Sequence, residues 1–183
     1  MMHAFIEQLK QTLNVQVLTD PADCIAYSYD NSSFSRVPLA VVKAEDEANI
    51  VQLIQLCRSY QVPLTARGRG SNTTGASIPS QNGVVLSFES MHKILDYRPA
   101  DRYITVQPGI SNQAVQQHTA PDQLFWPPDP SSGAYSTVGG NLATCAAGPH
   151  AIKYGTAREN ILRLRAVTGT GEIIESGYYT TKG

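Results

Sequence analysis

No glycine precedes Gly68; all 14 fall between it and Gly183. The first third therefore reads as compact regular structure. The rest reads as strands joined by loops that need unusual backbone angles. An excess of charge of one sign is missing too. The balance of 14 Lys+Arg against 15 Asp+Glu, a formal net charge of −1, excludes a nucleic-acid binder that works by bulk positive charge. No apolar run approaches the roughly 20 residues that cross a bilayer. The stretch from Met1 to Leu13 lacks the apolar core and small-residue cleavage site of a secretion signal, so none is expected. Cysteine is scarce. Cys24, Cys57 and Cys145 are odd in number, widely spaced and form no CxxC. That argues against a disulfide framework or a structural zinc site and for a reducing, cytoplasmic setting. No metal site is expected.

What is present, 42% hydrophobic and 16% charged residues, describes an ordinary globular chain of one domain or two small lobes. His3 to Leu13 reads as a short amphipathic helix. Val37 to Val42 is apolar and β-branched, hence a strand. Glu45 to Tyr60 is a helix, with Ile50, Leu53, Ile54 and Cys57 at i, i+3, i+4 and i+7. Leu64 to Ala66 is a short strand after Pro63, and a strand–helix–strand unit favours parallel pairing. Val84 to Phe88 reads as a buried strand. Ile94 to Tyr97 and Tyr103 to Gln107 form two more, joined through Pro99, Ala100 and Asp101. Ser111 caps a helix running to His118. Ala120 to Gly155 carries little regular structure. Leu162 to Thr168 and Glu172 to Ser176 form a closing hairpin.

Three segments carry chemistry. Arg67-Gly68-Arg69-Gly70-Ser71-Asn72-Thr73-Thr74-Gly75 follows a strand. Its glycines let successive N–H groups converge on an anion, and its two arginines have no acid nearby in sequence. It lacks the lysine of a P-loop and the spacing of a Rossmann fingerprint. A flexible surface loop would show the same residue types. In Trp126-Pro127-Pro128-Asp129-Pro130-Ser131-Ser132, three prolines in four positions make a rigid wall that fixes Asp129 and Ser132, or a structural corner. Ser136 to Gly148 is almost wholly small, allowing backbone to approach something flat or bulky. Its Gly139-Gly140 pair argues against a continuous helix. A neutral chain with local positive glycine loops fits a phosphorylated small molecule better than a nucleic acid.

Four motifs then stand in order: Pro63 to Ser71, Pro127 to Ser132, Thr137-Val138-Gly139-Gly140-Asn141, and Lys153-Tyr154-Gly155. Together they resemble the FAD-binding (PCMH-type) domain of the vanillyl-alcohol-oxidase-like flavoproteins. The branch they resemble most holds the glycolate oxidase flavin subunit, FAD-linked D-lactate dehydrogenase and D-2-hydroxyglutarate dehydrogenase. The resemblance covers about residues 25 to 183, with 1–24 as an N-terminal helix and lead-in. It implies an α+β fold. A small lobe with parallel strands, about 25–88, would pack beside a larger, mainly antiparallel lobe, about 89–183, with FAD between them. It further implies that Arg67, Gly68, Arg69, Gly70, Ser71, Asn72, Thr73 and Gly75 wrap the pyrophosphate. Pro128, Asp129, Ser132, Thr137, Gly139, Gly140 and Asn141 would line the flavin side, and Thr144, Cys145, Gly148, Tyr154 and Gly155 would follow the cofactor further.

Covalent attachment in this family often uses a histidine in the first glycine loop. Arg67 to Gly75 has none, so non-covalent FAD is expected. Cys145 and His150 stand where relatives more often carry an asparagine and a basic residue. Tyr178 to Gly183 resembles a point inside the family sequence. The cap domain that follows there, with the catalytic residues, is therefore expected to be absent, and the catalytic residues of this chain are unknown. The resemblance implies part of a flavin-dependent enzyme that oxidises a 2-hydroxy acid such as D-lactate, glycolate or D-2-hydroxyglutarate. Electrons would pass to oxygen, a quinone, or an iron–sulfur or flavoprotein partner. Little turnover is expected of the fragment alone. A non-catalytic flavin- or nucleotide-binding module and a structural fragment are the alternatives. The expected location is the cytoplasm, with membrane association only through partner subunits.

Overall fold

Unbroken apolar runs such as Ala40-Val41-Val42 and Val84-Val85-Leu86 belong in strands covered on both faces, and the structure pairs them side by side. A computed structural model describes residues 2–179. In chain order its elements are α1 (Met2–Thr12), β1 (Val17–Leu18), α2 (Pro21–Cys24), β2 (Ala40–Lys43), α3 (Glu47–Ser59), β3 (Leu64–Arg67), β4 (Val84–Ser87), β5 (Ile94–Arg98), β6 (Tyr103–Val106), α4 (Asn112–Thr119), α5 (Val138–Ala143), α6 (Ala151–Tyr154), β7 (Arg163–Val167) and β8 (Ile173–Gly177). They fall into two compact units. One runs to Ser90 and takes in Ala166–Ile174; the other takes Met91–Arg165 and the chain from Glu175.

The first unit is built on a four-stranded sheet of order β1-β2-β4-β3. β2, β4 and β3 are parallel, and β1 is an antiparallel edge. The strand–helix–strand unit through α3 does give parallel strands, but β2 and β3 are not neighbours. β4, buried at every position, enters between them. β2 begins at Ala40, later than the apolar run, because Pro38 cannot donate to a ladder and Val37 is exposed. α3 begins at Glu47 because Asp46 and Asn49 form a capping box. Asp46 accepts the Asn49 N–H at 2.8 Å, and the Asn49 side chain accepts the N–H groups of Asp46 and Glu45. The buried face of α3 is Ile50, Leu53, Ile54 and Cys57, as the periodicity requires. Phe5 and Leu9 of α1 are fully buried, and Phe5 meets Tyr60 edge-on at 5.5 Å. Cys24 and Cys57 are buried thiols, and burial pushes Cys57 up to about 11.

In the second unit β5 and β6 pair antiparallel with an irregularity between Ile94 and Asp96. Ile110, Val115 and Val138 form a small core with Ile94, Ile104, Val106, Trp126 and Leu142 packed on it. Ser111 caps α4, its hydroxyl accepting the Ala114 N–H at 3.1 Å. Ser136 to Gly148 is not one continuous helix, but the Gly139-Gly140 pair is not where helical structure breaks; it lies inside the six-residue α5. Thr137 caps this short helix by accepting the Gly140 N–H at 3.1 Å. The backbone of Gly139 lies on Pro108, where a Cβ would stand 2.7 Å from the proline Cβ and 2.9 Å from its carbonyl oxygen. Close approach selects the glycine, and six residues are too few for its weak helix propensity to forbid the turn.

β7 and β8 form a two-stranded ribbon closed by the turn Thr168–Glu172, where the Thr168 N–H donates to the Glu172 carbonyl at 2.8 Å. Within the first unit, Arg58 donates to the Thr170 carbonyl at 2.8 Å and ties the ribbon tip to the end of α3.

Candidate functional site

The glycine loop after β3 is shaped by one side chain. Asn72 Oδ1 accepts the N–H groups of Thr74 and Ala76, each at 3.1 Å, and its Nδ2 donates to Ser77 Oγ at 2.7 Å. The preceding turn holds the loop from outside. Asp30 is buried and accepts the Ser32 N–H at 2.8 Å, the Ser32 hydroxyl at 2.5 Å and the Ser77 N–H at 3.4 Å. Asn31 donates through its N–H to the Asn72 carbonyl at 3.0 Å and through its side chain to the Ser71 carbonyl at 3.3 Å. None of these bonds uses the N–H groups of Arg69, Gly70 or Ser71. They lie on the turn where Gly70 takes a φ of +65°, the kind of backbone concavity that receives an anion. Gly68, Ser71 and Asn72 are half-buried, Arg69 and Thr73 exposed, and Gly75 lies against the Phe34 ring. The Asp30–Asn31–Ser32 turn escaped the sequence reading. Its run of Asp, Asn and Ser is the local signal that marks such side-chain-to-backbone turns.

Arg67 does not project from this loop. Only 6% of it is exposed. Its guanidinium fills the place where a Cβ on Gly70 would stand. Nη2 donates to the Ala26 carbonyl at 3.4 Å, and the group lies 5.9 Å from the Tyr27 ring centre. No acid is near it in sequence, but the fold brings the charges of Asp30 and Glu89 to bear. They oppose burial, which still holds the guanidinium below its ordinary pKa. Lys43 and Glu89 pair at 2.5 Å, and Tyr27 donates to Glu89 at 2.8 Å.

Burial works against ionised Asp30 and Glu89. Hydrogen bonds from Ser32, Ser77 and Asn72 in the first case, and from Lys43 and Tyr27 in the second, outweigh it and hold both carboxyls low. The stability these groups contribute is therefore full above the ordinary carboxylate value of about 4. It is lost as pH falls through their lower folded values. Thermal melts should show a steepening acid limb below that point, and Asp30→Asn should flatten it.

In the second unit the sequence-derived residues gather into two groups. Asn112 and Asn141 are both buried. Asn141 Nδ2 donates to Asn112 Oδ1 at 3.1 Å, and Asn112 Nδ2 donates to the carbonyl of the buried Pro128, also at 3.1 Å. Thr137 and Gly140 join this group through the α5 cap, and the Asn112 N–H donates to the Ser136 carbonyl at 2.8 Å. Ser132 is half-buried, its carbonyl accepting the N–H groups of Tyr135 and Ser136. The other group centres on Asp129. It accepts the His150 N–H at 3.1 Å and pairs with His150 Nδ1 at 3.2 Å, while Gly148 presses against it so closely that a Cβ would overlap its carboxylate and carbonyl. Tyr154 meets Phe125 edge-on at 5.1 Å, with Lys153 5.0 Å from its ring centre. Thr144 is exposed and back-bonded to the Gly140 carbonyl. Cys145 is exposed, with its sulfur 3.2 Å from Thr156 Oγ1, and Gly155 ends α6. Asn112 and Gln116 were not legible as site residues. Gln116 grips the Trp126 backbone, accepting its N–H at 3.1 Å and donating to its carbonyl.

Because backbone cannot move aside as a side-chain tip can, Gly148→Ala should cost about 2 kcal/mol. A chain of this size should then melt about 4–8 °C lower, which a thermal melt checks.

Among the described residues, Arg67 Nη1, Trp126 Nε1 and Ser136 Oγ are buried polar atoms without a hydrogen-bond partner. Such atoms ask for a ligand or water. A cation beside loop N–H groups suits a diphosphate, and the Trp126 donor and Ser136 hydroxyl suit the polar edge of a heterocycle or a sugar chain. Taken unit by unit, these donors are of the kind that FAD engages. Among the described residues no group of three or more His, Cys, Asp or Glu is placed to hold a metal ion, and no helix is long and apolar enough to cross a membrane.

Residues 38–177 match the family described as FAD binding domain. Glycolate oxidase subunit GlcD of Escherichia coli (strain K12) is 35% identical over 164 residues, 89% of this chain and 33% of that protein. D-2-hydroxyglutarate dehydrogenase of Stutzerimonas stutzeri (strain A1501) is 30% identical over 174 residues, 94% of this chain and 38% of that protein. Among solved structures, alkyldihydroxyacetonephosphate synthase superposes with a TM-score of 0.85 at 27% identity, covering 94% of this chain and 36% of that one. The chain spans about a third of the length of these curated relatives.

Proposed function

The chain belongs to the FAD binding domain family, with the α+β fold of PCMH-type flavoproteins, and from that premise we propose that it holds FAD non-covalently as part of a flavin-dependent 2-hydroxy-acid oxidoreductase. The observation that carries the reading is the buried Arg67 guanidinium, with an unpartnered Nη1, packed against the Gly70 turn of the glycine loop. Arg67 and the N–H groups of Arg69, Gly70 and Ser71 bind the diphosphate. Gly68, Asn72, Thr73 and Gly75 shape that loop. Pro128, Asp129, Ser132, Thr137, Gly139, Gly140 and Asn141 form a rigid wall for the flavin portion, continued by Thr144, Cys145, Gly148, Tyr154 and Gly155. When bound, FAD supplies the two-electron redox chemistry, and the protein supplies binding, orientation and electrostatics.

Relatives named for glycolate and D-2-hydroxyglutarate support a small 2-hydroxy acid as the substrate of the whole enzyme, with D-lactate in the same class. An electron-transfer partner and a cytoplasmic location complete the proposal. Titration with FAD, with FMN as control, tests it through the visible flavin spectrum and fluorescence. A perturbed spectrum specific to FAD is expected. A folded chain that leaves FAD unperturbed overturns the reading.

A further inference from the structure

Three neighbouring parallel strands end at the same level. The register pairs Lys43 of β2 with Ser87 of β4, and Ser87 with Arg67 of β3. Registered side chains on parallel strands share a face, so two cations flank one serine across roughly 10 Å. This row lies at the carboxyl ends of the strands, the edge where open parallel sheets receive ligands. Glu89 lies in the turn that follows β4. Its carboxylate pairs with one of these cations, and its charge acts on the other. It bonds Lys43 at 2.5 Å and the Tyr27 hydroxyl at 2.8 Å, while Arg67 Nη1 bonds nothing. The Tyr27 ring stands 6.0 Å from the Lys43 ammonium and 5.9 Å from the Arg67 guanidinium.

Left to itself, a buried guanidinium recruits a nearby carboxylate, because an unpaired buried charge is costly. Here both carboxylates whose charge reaches it are already held, Asp30 by Ser32 and Ser77 and Glu89 by Lys43 and Tyr27. We propose that Lys43 and Tyr27 are positioning residues that keep Glu89 from bonding Arg67, so that the guanidinium retains a free Nη1 for the cofactor diphosphate. This rests on the FAD reading above.

The test is FAD affinity by flavin fluorescence in the full chain, with circular dichroism to confirm folding. Lys43→Met releases Glu89 to Arg67 and should weaken FAD on the order of tenfold, the share of one charge-assisted hydrogen bond. Lys43→Arg should restore the affinity. Glu89→Gln removes the competitor and should bind FAD at least as tightly as wild type. In the Lys43→Met background the same change should recover the loss. A merely structural ion pair predicts the opposite for Glu89→Gln: weaker binding in step with lost stability. Weaker FAD binding by Glu89→Gln overturns the proposal even if Lys43→Met fails to fold, and so does a folded Lys43→Met with unchanged affinity. A wild-type chain that binds no FAD overturns the FAD reading and this inference with it.

Discussion

Arg67→Met is expected to weaken FAD binding on the order of a hundredfold, equivalent to about 2.7 kcal/mol, while the melting temperature holds or rises. The two halves of that result have separate causes. Arg67 is only 6% exposed, its hydrogen bond to the Ala26 carbonyl is long at 3.4 Å, and burial already disfavours its charge. Replacing such a group with an apolar side chain of similar length removes a desolvation cost and loses little. Affinity falls because the guanidinium is the buried cation beneath the loop and its Nη1 is unpaired. Titration of folded variant and wild type, paired with thermal melts, checks both halves. A melting temperature that drops along with affinity would mean that Arg67 works as an internal brace and that the loop N–H groups bind alone.

Asn112→Ala is expected to cost about 3 kcal/mol, lowering the melting temperature by about 6–12 °C. Asn112 is the centre of a chain of bonds from Asn141 through its own amide to the Pro128 carbonyl. Truncation strands the Asn141 donor and the Pro128 acceptor in the interior together. Asn112→Asp separates the two contributions. It keeps the acceptor for Asn141 but sets a carboxylate oxygen against the Pro128 carbonyl, so it should be no more stable than the alanine variant. An alanine variant within about 0.5 kcal/mol of wild type would mean that water replaces the amide.

What was legible in the sequence had a local cause. The period of Ile50, Leu53, Ile54 and Cys57 gives α3 its buried face, and Ser111 announces the start of α4. The glycines of 68–75 mark a loop with special angles, and Gly70 adopts one. What was not legible depends on partners distant in the chain. Nothing near Leu64 says that β4 will enter between β2 and β3. Asn112 lies 29 positions from the asparagine it meets. Asp30 lies 47 from the Ser77 N–H it accepts. Gly139 reads as a helix breaker until Pro108 is seen beneath it. Arg67, the first residue of the glycine segment, turned inward because the last position of β3 faces the same way as Ser87 and Lys43.

The Asn72 side chain, bonded to the N–H groups of Thr74 and Ala76 and to the Ser77 hydroxyl, has a consequence for rates. A glycine loop would ordinarily lose its freedom only when its ligand arrived, making encounter slow and capture conditional on rearrangement. Here the turn is closed by its own chain beforehand, and preorganisation of this kind removes an ordering cost from association. Differences in affinity among variants of this loop therefore belong in how long FAD stays, not in how fast it enters.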